Sequence, residues 1–218
     1  YTAEDSHGGT MLCATAPNLT DQLRQTLWRQ QKPMILTSGT LAVGEDFRRF
    51  KEATGLLTDG RVRESVSPSP FAYSKNCLLY VPSLPARQKA GQYYDKLTEE
   101  ITALLGAAHG HALVLFTSYS AMAAVKERLR EQDLAYPLFT LGRNAVHTTK
   151  QFKNTPGGVL LATGAAWEGV DFPGDCVSLL VIPRLPFPIP DALKEKEREQ
   201  YPTLHSFLRG IVVPEMQI

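Results

Sequence analysis

Residues 112–129 read ALVLFTSYSAMAAVKERL, a stretch that changes from one hydrophobic pattern to another. Residues 112–117 are apolar almost throughout, as in a strand that is covered on both faces of a sheet. Met122, Val125 and Leu129 then recur at the spacing of one helix face. A strand followed directly by an amphipathic helix is the repeating unit of α/β proteins, so this stretch predicts a parallel sheet with helices.

The same alternation continues on both sides of this stretch. Further strand candidates lie at residues 10–14, 34–38, 77–81, 138–140, 158–163 and 177–182. Helical stripes lie between them, formed by Leu19, Leu23 and Leu27 and by Tyr94, Leu97, Ile101, Leu104 and Leu105. Residues 55–70 are polar and rich in turn formers, which predicts a linker and a domain boundary near it. Alternating charges at residues 191–200 predict a solvated helix.

The composition excludes several classes of protein. The 218 residues include 23 basic and 22 acidic side chains, so the net charge of +1 gives no general attraction for nucleic acid. Three cysteines without a CxxC pair form neither a disulfide framework nor a metal site, which favours a reducing compartment. No run of about 18 apolar residues and no signal peptide occur, which predicts a cytoplasmic protein with no membrane partner. The absence of an initial Met and the apolar last residues lead us to expect an excised fragment.

Small polar residues follow three of the predicted strands. In an open α/β sheet the carboxyl ends of the strands form the ligand-binding edge, so these three turns are expected to converge. Hydroxyl groups and free backbone N–H groups at such turns suit phosphate oxygens. The turns are Thr37-Ser38-Gly39-Thr40, Thr117-Ser118-Tyr119-Ser120 and residues 163–171, TGAAWEGVD.

Each of these turns also has a plainer interpretation. Ser118 or Ser120 alone fits the cap of the following helix at least as well as a ligand site. Asp171 stands before Phe172-Pro173-Gly174 and could simply shape a turn. Arg184, just past the strand candidate at residues 177–182, suits either a ligand cleft or a solvated rim.

Three segments together resemble motifs III, IV and V of superfamily 2 DNA helicases of the DinG/XPD-like branch. They are PMILTSGTL at residues 33–41, ALVLFTSYSAM at 112–122 and LLATGAAWEGVDFPGD at 160–175. The resemblance extends from about residue 10 to the end of the chain. It implies a RecA-like α/β fold, a parallel sheet with helices on both faces. The chain would be mostly the second of two helicase lobes, with ATP bound between the lobes and single-stranded DNA drawn across them.

The resemblance also implies roles for individual residues. Ser38, Gly39 and Thr40 would couple hydrolysis to strand separation. Thr117, Ser118 and Thr163 would face the DNA backbone, whereas Glu168, Gly169, Asp171 and Arg184 would face the nucleotide. Residues 1–55 would then be the end of the first lobe or a link from it, and residues 56–218 would be the second lobe, truncated before motif VI.

The sequence departs from the family pattern in ways that affect its chemistry. No GxxxxGK[ST] phosphate loop occurs, because residues 55–62 carry Arg61 and Val62 at the decisive positions and no strand precedes them. No DEAH-type acidic box occurs either, so ligands for Mg²⁺ are missing. The arginine finger expected after residues 212–215 is absent, and three cysteines cannot hold the iron–sulfur cluster that relatives carry in the first lobe. No complete catalytic set is therefore expected here.

We hypothesise that the chain is part of an ATP-dependent DNA helicase, active in DNA repair or replication, and hydrolyses no ATP by itself. An RNA-directed helicase lobe and a non-catalytic RecA-like binding module remain open alternatives. Other patterns suggest binding less strongly. His109 and His111 have metal-like spacing without an acidic partner, and Tyr94 fits the core better than base stacking. Arg143, Lys150 and Lys153 suit phosphates or solvent equally.

Overall fold

The structure is a computed structural model that describes residues 2–4, 8–14, 19–30, 32–85, 90–142, 145–168, 170–188 and 192–217. Internal contacts divide the chain into two units, residues 1–76 with 187–218 and residues 77–186. The described strands are β1 (Thr2–Glu4), β2 (Thr10–Leu12), β3 (Ala112–Phe116), β4 (Leu138–Thr140), β5 (Val159–Thr163) and β6 (Leu179–Val181). The described α-helices are α1 (Leu19–Thr26), α2 (Arg48–Thr54), α3 (Tyr73–Asn76), α4 (Ala90–Ala107), α5 (Tyr119–Glu131), α6 (Ala145–Lys153), α7 (Ala192–Arg198), α8 (Leu204–Phe207) and α9 (Val213–Gln217).

Four strands of residues 77–186 form a parallel sheet in the order β4, β5, β3, β6. The two central strands are in register from Ala112 opposite Val159 to Phe116 opposite Thr163. All residues of β3 and β5 are buried, as their unbroken apolar sequences require. The helices α4, α5 and α6 alternate with these strands along the chain. The predicted parallel α/β fold is confirmed.

Helices cover both faces of this sheet, because successive side chains of a strand point to opposite sides. On one face Val114 and Phe116 pack with buried residues of α4 and α5, among them Ile101 and Leu129. On the other face Leu113, Leu115, Leu160 and Ala162 pack with Phe152 of α6. The helical stripes of α4 and α5 are thus the ones that the sequence predicts. The arrangement is that of a RecA-like lobe.

A tight turn leads into β3 at the amino ends of the strands. His109, Gly110 and His111 all have positive φ, at 52°, 77° and 46°. A Cβ on Gly110 would lie 2.0 Å from the carbonyl oxygen of Gly157, so only glycine fits this close approach. The Nε2 atom of His111 accepts a hydrogen bond from the Gly157 N–H at 3.2 Å. The turn therefore joins the entries of β3 and β5.

Three strand predictions need correction. Residues 34–38 and 77–81 are not strands, and the side chains of Ile35 and Leu78 are 93% and 92% exposed. Within the described residues no strand pairs with either run, and an apolar sequence alone cannot satisfy the backbone hydrogen bonds of a strand. The candidate at residues 10–14 is shorter, at Thr10–Leu12, and pairs antiparallel with β1 instead of joining the parallel sheet.

Polar contacts connect several elements of the other unit. The indole N–H of Trp28 donates to the carbonyl oxygen of Thr54 at 2.7 Å, which joins the segment after α1 to α2. Arg49 and Lys194 both pair with Glu215 and so connect α2, α7 and α9. The helix predicted within residues 191–200 is α7. In the parts of the chain that the structure describes, we find no helix with the length and apolarity needed to cross a bilayer.

Candidate nucleic-acid interface

Two of the predicted turns are neighbours at the carboxyl edge of the sheet. The strands β3 and β5 pair directly and end at the opposed residues Phe116 and Thr163. The residues that follow, Thr117 and Gly164, therefore begin adjacent turns. Parallel strands place such turns at the edge where α/β proteins bind ligands. The sequence-based expectation that motifs IV and V converge holds for this pair of turns.

The turn after β3 begins α5. Thr117 is exposed, and Ser118 is the N-cap residue, whose hydroxyl accepts the N–H of Ala121 at 3.2 Å. The hydroxyl of Ser120 lies 3.3 Å from that of Ser118. The capping interpretation of Ser118 is therefore correct. Ser118 as a residue is only half-buried, so capping and a phosphate contact are compatible.

The turn after β5 is a short 3₁₀ helix, Gly164–Trp167. It starts at Gly164 with a φ of 62°, a conformation that favours glycine. Thr163 is only 7% exposed, so little of its surface can reach a ligand. Glu168 and Asp171 are exposed beyond the 3₁₀ helix. Gly169, the remaining predicted nucleotide-binding residue of this turn, lies outside the described residues.

The segment after β6 lies at the same edge of the sheet. Arg184 and Thr117 line one cleft, together with Tyr93, Phe116 and Pro183. The Tyr93 hydroxyl donates to the carbonyl oxygen of Pro183 at 3.3 Å, which fixes the chain just before Arg184. The cleft thus combines a residue that the sequence assigns to the nucleotide with one that it assigns to DNA.

The predicted coupling residues belong to the other unit. Ser38, Gly39 and Thr40 are exposed, and the hydroxyls of Ser38 and Thr40 lie 3.1 Å apart. The Thr40 N–H also donates to the Ser38 hydroxyl at 3.2 Å. These contacts form a local turn that presents two hydroxyl groups to solvent.

Sequence reasoning missed two aromatic residues at the edge. Tyr119 is 68% exposed, and its hydroxyl lies 3.8 Å from the position that a Cβ on Gly164 would take. The indole N–H of Trp167 donates to the carbonyl oxygen of Phe116 at 3.0 Å. Both residues therefore connect the turn after β5 with the turn after β3. The only sequence signal was their position inside the two motifs.

Some of the residues that the sequence suggested less strongly as binding residues have structural contacts. Tyr94 packs against the core cluster formed by α4, α5, β3 and β5, which confirms its structural interpretation. The ammonium group of Lys153 lies 5.4 Å from the centre of the Phe172 ring, Lys150 is exposed, and Arg143 lies outside the described residues. His111 hydrogen-bonds to Gly157, as described above. Among the described residues no group of three His, Cys, Asp or Glu side chains is placed to hold a metal ion.

Comparisons with known proteins identify the family. Residues 101–206 match the helicase C-terminal domain. The ATP-dependent helicase DinG of Mycobacterium tuberculosis (strain ATCC 25618 / H37Rv) is 35% identical over 191 residues, which are 86% of this chain and 29% of that protein. The ATP-dependent DNA helicase YoaA of Escherichia coli (strain K12) is 30% identical over 182 residues, 83% of this chain and 28% of the relative.

A third relative bears another name. The 3'-5' exonuclease DinG of Bacillus subtilis (strain 168) is 31% identical over 177 residues, 78% of this chain and 19% of that protein. The chain thus spans less than a third of the length of these curated relatives. The matched domain, residues 101–206, includes both turns of the carboxyl edge and Arg184. The chain belongs to the DinG-like helicases and carries their C-terminal helicase domain.

Proposed function

We propose that the carboxyl edge of the sheet binds the backbone of single-stranded DNA, as part of an ATP-dependent DNA helicase. The observation that carries this proposal is the placement of Thr117, Ser118, Tyr119 and Gly164 on adjacent turns after β3 and β5. Within the helicase, the chain would couple ATP hydrolysis to translocation and duplex unwinding in DNA repair or replication. It would act in the cytoplasm, where cysteines stay reduced.

The chemistry of the edge suits phosphates. The hydroxyls of Thr117 and Ser118 stand at the start of α5, where backbone N–H groups and the helix dipole favour anions. Gly164 is exposed, and because it has no side chain, a DNA strand can approach its backbone closely. Thr163 would contribute to phosphate binding only through the small part of its surface that is accessible. Because such contacts go to phosphates, binding should be weak, independent of base sequence and sensitive to salt.

Tyr119 adds a surface for a base. Its ring is largely exposed and lies beside the turn that begins at Gly164. Exposed aromatic rings next to backbone-binding groups are the usual stacking platforms of proteins that bind single strands. Tyr119 would stack a base while the hydroxyls of the two turns hold the neighbouring phosphates.

The nucleotide side of the proposal needs a second lobe. Glu168, Gly169, Asp171 and Arg184 would face ATP, and the exposed positions of Glu168, Asp171 and Arg184 fit that role. They fit only part of an ATP site, because the sequence supplies neither a phosphate loop nor an acidic box for Mg²⁺. The first helicase lobe would supply both, along with any iron–sulfur cluster, since this chain has only three cysteines.

The proposal also assigns the two parts of the chain. Residues 1–55 would be the end of the first lobe or its link, and residues 56–218 would be the second lobe. Ser38, Gly39 and Thr40 would then couple the ATP site to strand separation. The hydroxyls of the exposed residues Ser38 and Thr40 are available for contacts with a further part of the helicase.

Titration of a fluorescent oligothymidylate with the chain tests the DNA proposal. We expect weak binding that falls about 20-fold between 50 and 200 mM salt, the change for roughly three phosphate contacts to a single strand. Thr117→Val should weaken binding about fivefold, the value of one hydrogen bond. Thr58→Val is the matched control, because Thr58 is also exposed but lies in the other unit. Binding that is insensitive to salt and to Thr117→Val would contradict the proposal.

A second pair of variants tests base stacking. Tyr119→Ala should weaken binding about tenfold, whereas Tyr80→Ala should leave it unchanged. Tyr80 is the matched control because its ring is 53% exposed in the same unit but its sequence position is far from both turns. Oligouridylate in place of oligothymidylate distinguishes the substrates. Tighter binding of the RNA would favour an RNA-directed lobe over the DNA helicase.

An ATPase assay tests the division of the nucleotide site. The chain alone should show no steady-state ATP hydrolysis, with or without single-stranded DNA, because the phosphate loop and the Mg²⁺ ligands are missing from its sequence. Asp171→Ala is the control for contaminating activity. Turnover that Asp171→Ala abolishes would show that this chain contains a working ATP site and would contradict the proposal.

A further inference from the structure

The side chain of Trp167 links the turn after β5 to the end of β3. It is the last residue of the 3₁₀ helix that follows β5, and it lies between Thr163 and Asp171 in the sequence. Its indole N–H donates to the carbonyl oxygen of Phe116, the last residue of β3, at 3.0 Å. Phe116 is 1% exposed, so this hydrogen bond is attached to a rigid part of the core.

The packing of the indole leaves it little freedom. Trp167 is half-buried and packs against the core cluster that contains Leu115, Phe152 and Ala162. An indole N–H only donates, and a buried one needs a fixed acceptor, which here is the backbone of a different strand. The ring and its hydrogen bond therefore set the distance between the turn after β5 and the end of β3.

We propose that Trp167 is a positioning residue for the binding of a single strand. Its hydrogen bond to Phe116 holds the turn after β5 against the residue that immediately precedes Thr117 and Ser118. The distance between the hydroxyls of the turn after β3 and the backbone of the turn after β5 is then fixed, so the two turns can bind successive phosphates of one DNA strand. This inference rests on the proposed DNA-binding function, and it adds a residue that touches neither DNA nor nucleotide.

The chain contains a matched comparison for this role. Its second tryptophan, Trp28, is also half-buried and also donates its indole N–H to a backbone carbonyl, that of Thr54 at 2.7 Å. Trp28 and Thr54 belong to the other unit, whereas the four-stranded parallel sheet lies in residues 77–186. A purely structural role predicts the same result for the loss of either hydrogen bond, whereas a positioning role predicts an effect on DNA binding for Trp167 alone.

The variants Trp167→Phe and Trp28→Phe make this comparison in the full 218-residue chain. Each keeps an aromatic ring and removes one N–H donor. We expect Trp167→Phe to weaken the binding of oligothymidylate about fivefold, the value of one hydrogen bond that fixes the geometry. Trp28→Phe should bind with the affinity of the wild type. Circular dichroism should show the same helix content in both variants.

Fluorescence gives a second readout that requires no change at Trp167. In Trp28→Phe the indole of Trp167 is the only one left, and its emission should change when the oligonucleotide binds. In Trp167→Phe the emission of Trp28 should stay constant. A silent emission of Trp167 would overturn the positioning role even if Trp167→Phe fails to fold.

The outcomes separate the two proposals. If the wild type binds DNA, equal affinity of Trp167→Phe or a silent Trp167 emission in Trp28→Phe overturns the positioning role and leaves the proposed function standing. An equal loss of affinity in both variants also overturns it, because the effect would then be one of general stability. No binding by the wild type contradicts the proposed function itself, and the positioning role with it.

Discussion

The strand β3, ALVLF, and residues 77–81, CLLYV, are similar in sequence and opposite in environment. Leu113 in β3 is 6% exposed, whereas Leu78 is 92% exposed. The strand β3 pairs with β5 on one side and β6 on the other, and helices cover both of its faces. In the described residues no strand pairs with residues 77–81. An apolar run is thus buried only where partner strands lie on both edges and helices lie on both faces. The sequence of the run itself does not show whether these neighbours are present.

The largest expected effect on stability comes from shortening one leucine in each of these two segments. Leu113→Ala should lower the free energy of unfolding by about 2–5 kcal/mol, because it removes buried methyl groups and leaves a cavity between β3 and α6. Leu78→Ala should change it by less than about 0.5 kcal/mol, because its side chain is already in water. Urea denaturation followed by circular dichroism measures both. A similar loss in Leu78→Ala would show that residues 77–81 are buried in solution.

A smaller effect is expected at the entry to β3. Gly110→Ala should cost about 1–3 kcal/mol, because it strains a positive φ and forces the Gly157 backbone to move. Gly106→Ala is the matched control on α4, where an added Cβ meets no atom within 4 Å. It should stabilise the helix by about 0.5–1 kcal/mol.

Thermal unfolding of the two glycine variants provides the check. Equal melting temperatures would mean that the turn at residues 109–111 is not formed as described. In that case the close approach between Gly110 and Gly157 could not be what aligns the entries of β3 and β5.

The smallest effect on stability concerns residues 59–61, where an ion pair joins Asp59 and Arg61. Arg61 donates from its side chain and its backbone to Asp59, which lowers the pKa of that carboxyl from 3.8 to about 2. A lowered carboxyl pKa contributes stability above pH 3.8, and this contribution is lost as the pH falls through about 2. Arg61, the partner of Asp59, is largely exposed, so solvent screens the pair and the contribution is small.

An NMR titration of the Asp59 carboxyl measures this pKa directly. Arg61→Ala should return it to the ordinary range, and Arg63→Ala, which removes a nearby exposed arginine, should not. An unchanged pKa in Arg61→Ala would rule out the ion pair as its cause.

The sequence predicts the centre of the sheet well and its surroundings poorly. The strands β3 and β5 are apolar on both faces, and the stripes of α4 and α5 match their buried residues, so local pattern and tertiary contacts agree there. The same pattern wrongly predicts strands at residues 34–38 and 77–81, because a pattern of side chains does not reveal whether a partner strand is present.

The candidate site shows the same limit. The hydroxyls of Thr117 and Ser118 were predictable because they directly follow a strand. The hydrogen bond from Trp167 to Phe116 joins residues 51 positions apart, and the approach of Tyr119 to Gly164 depends on the pairing of β3 with β5. Such contacts follow from the order of strands in the sheet, which local sequence does not contain.

The central claim is that DNA binds at the carboxyl edge of the sheet. Amide chemical shifts of the ¹⁵N-labelled chain, recorded during titration with an oligothymidylate of about 12 nucleotides, test it most directly. We predict that the amides of residues 117–120 and 164–168 shift, while those of the amino edge, residues 109–112 and 157–159, stay in place. Shifts confined to the amino edge, or to neither edge, would contradict the claim.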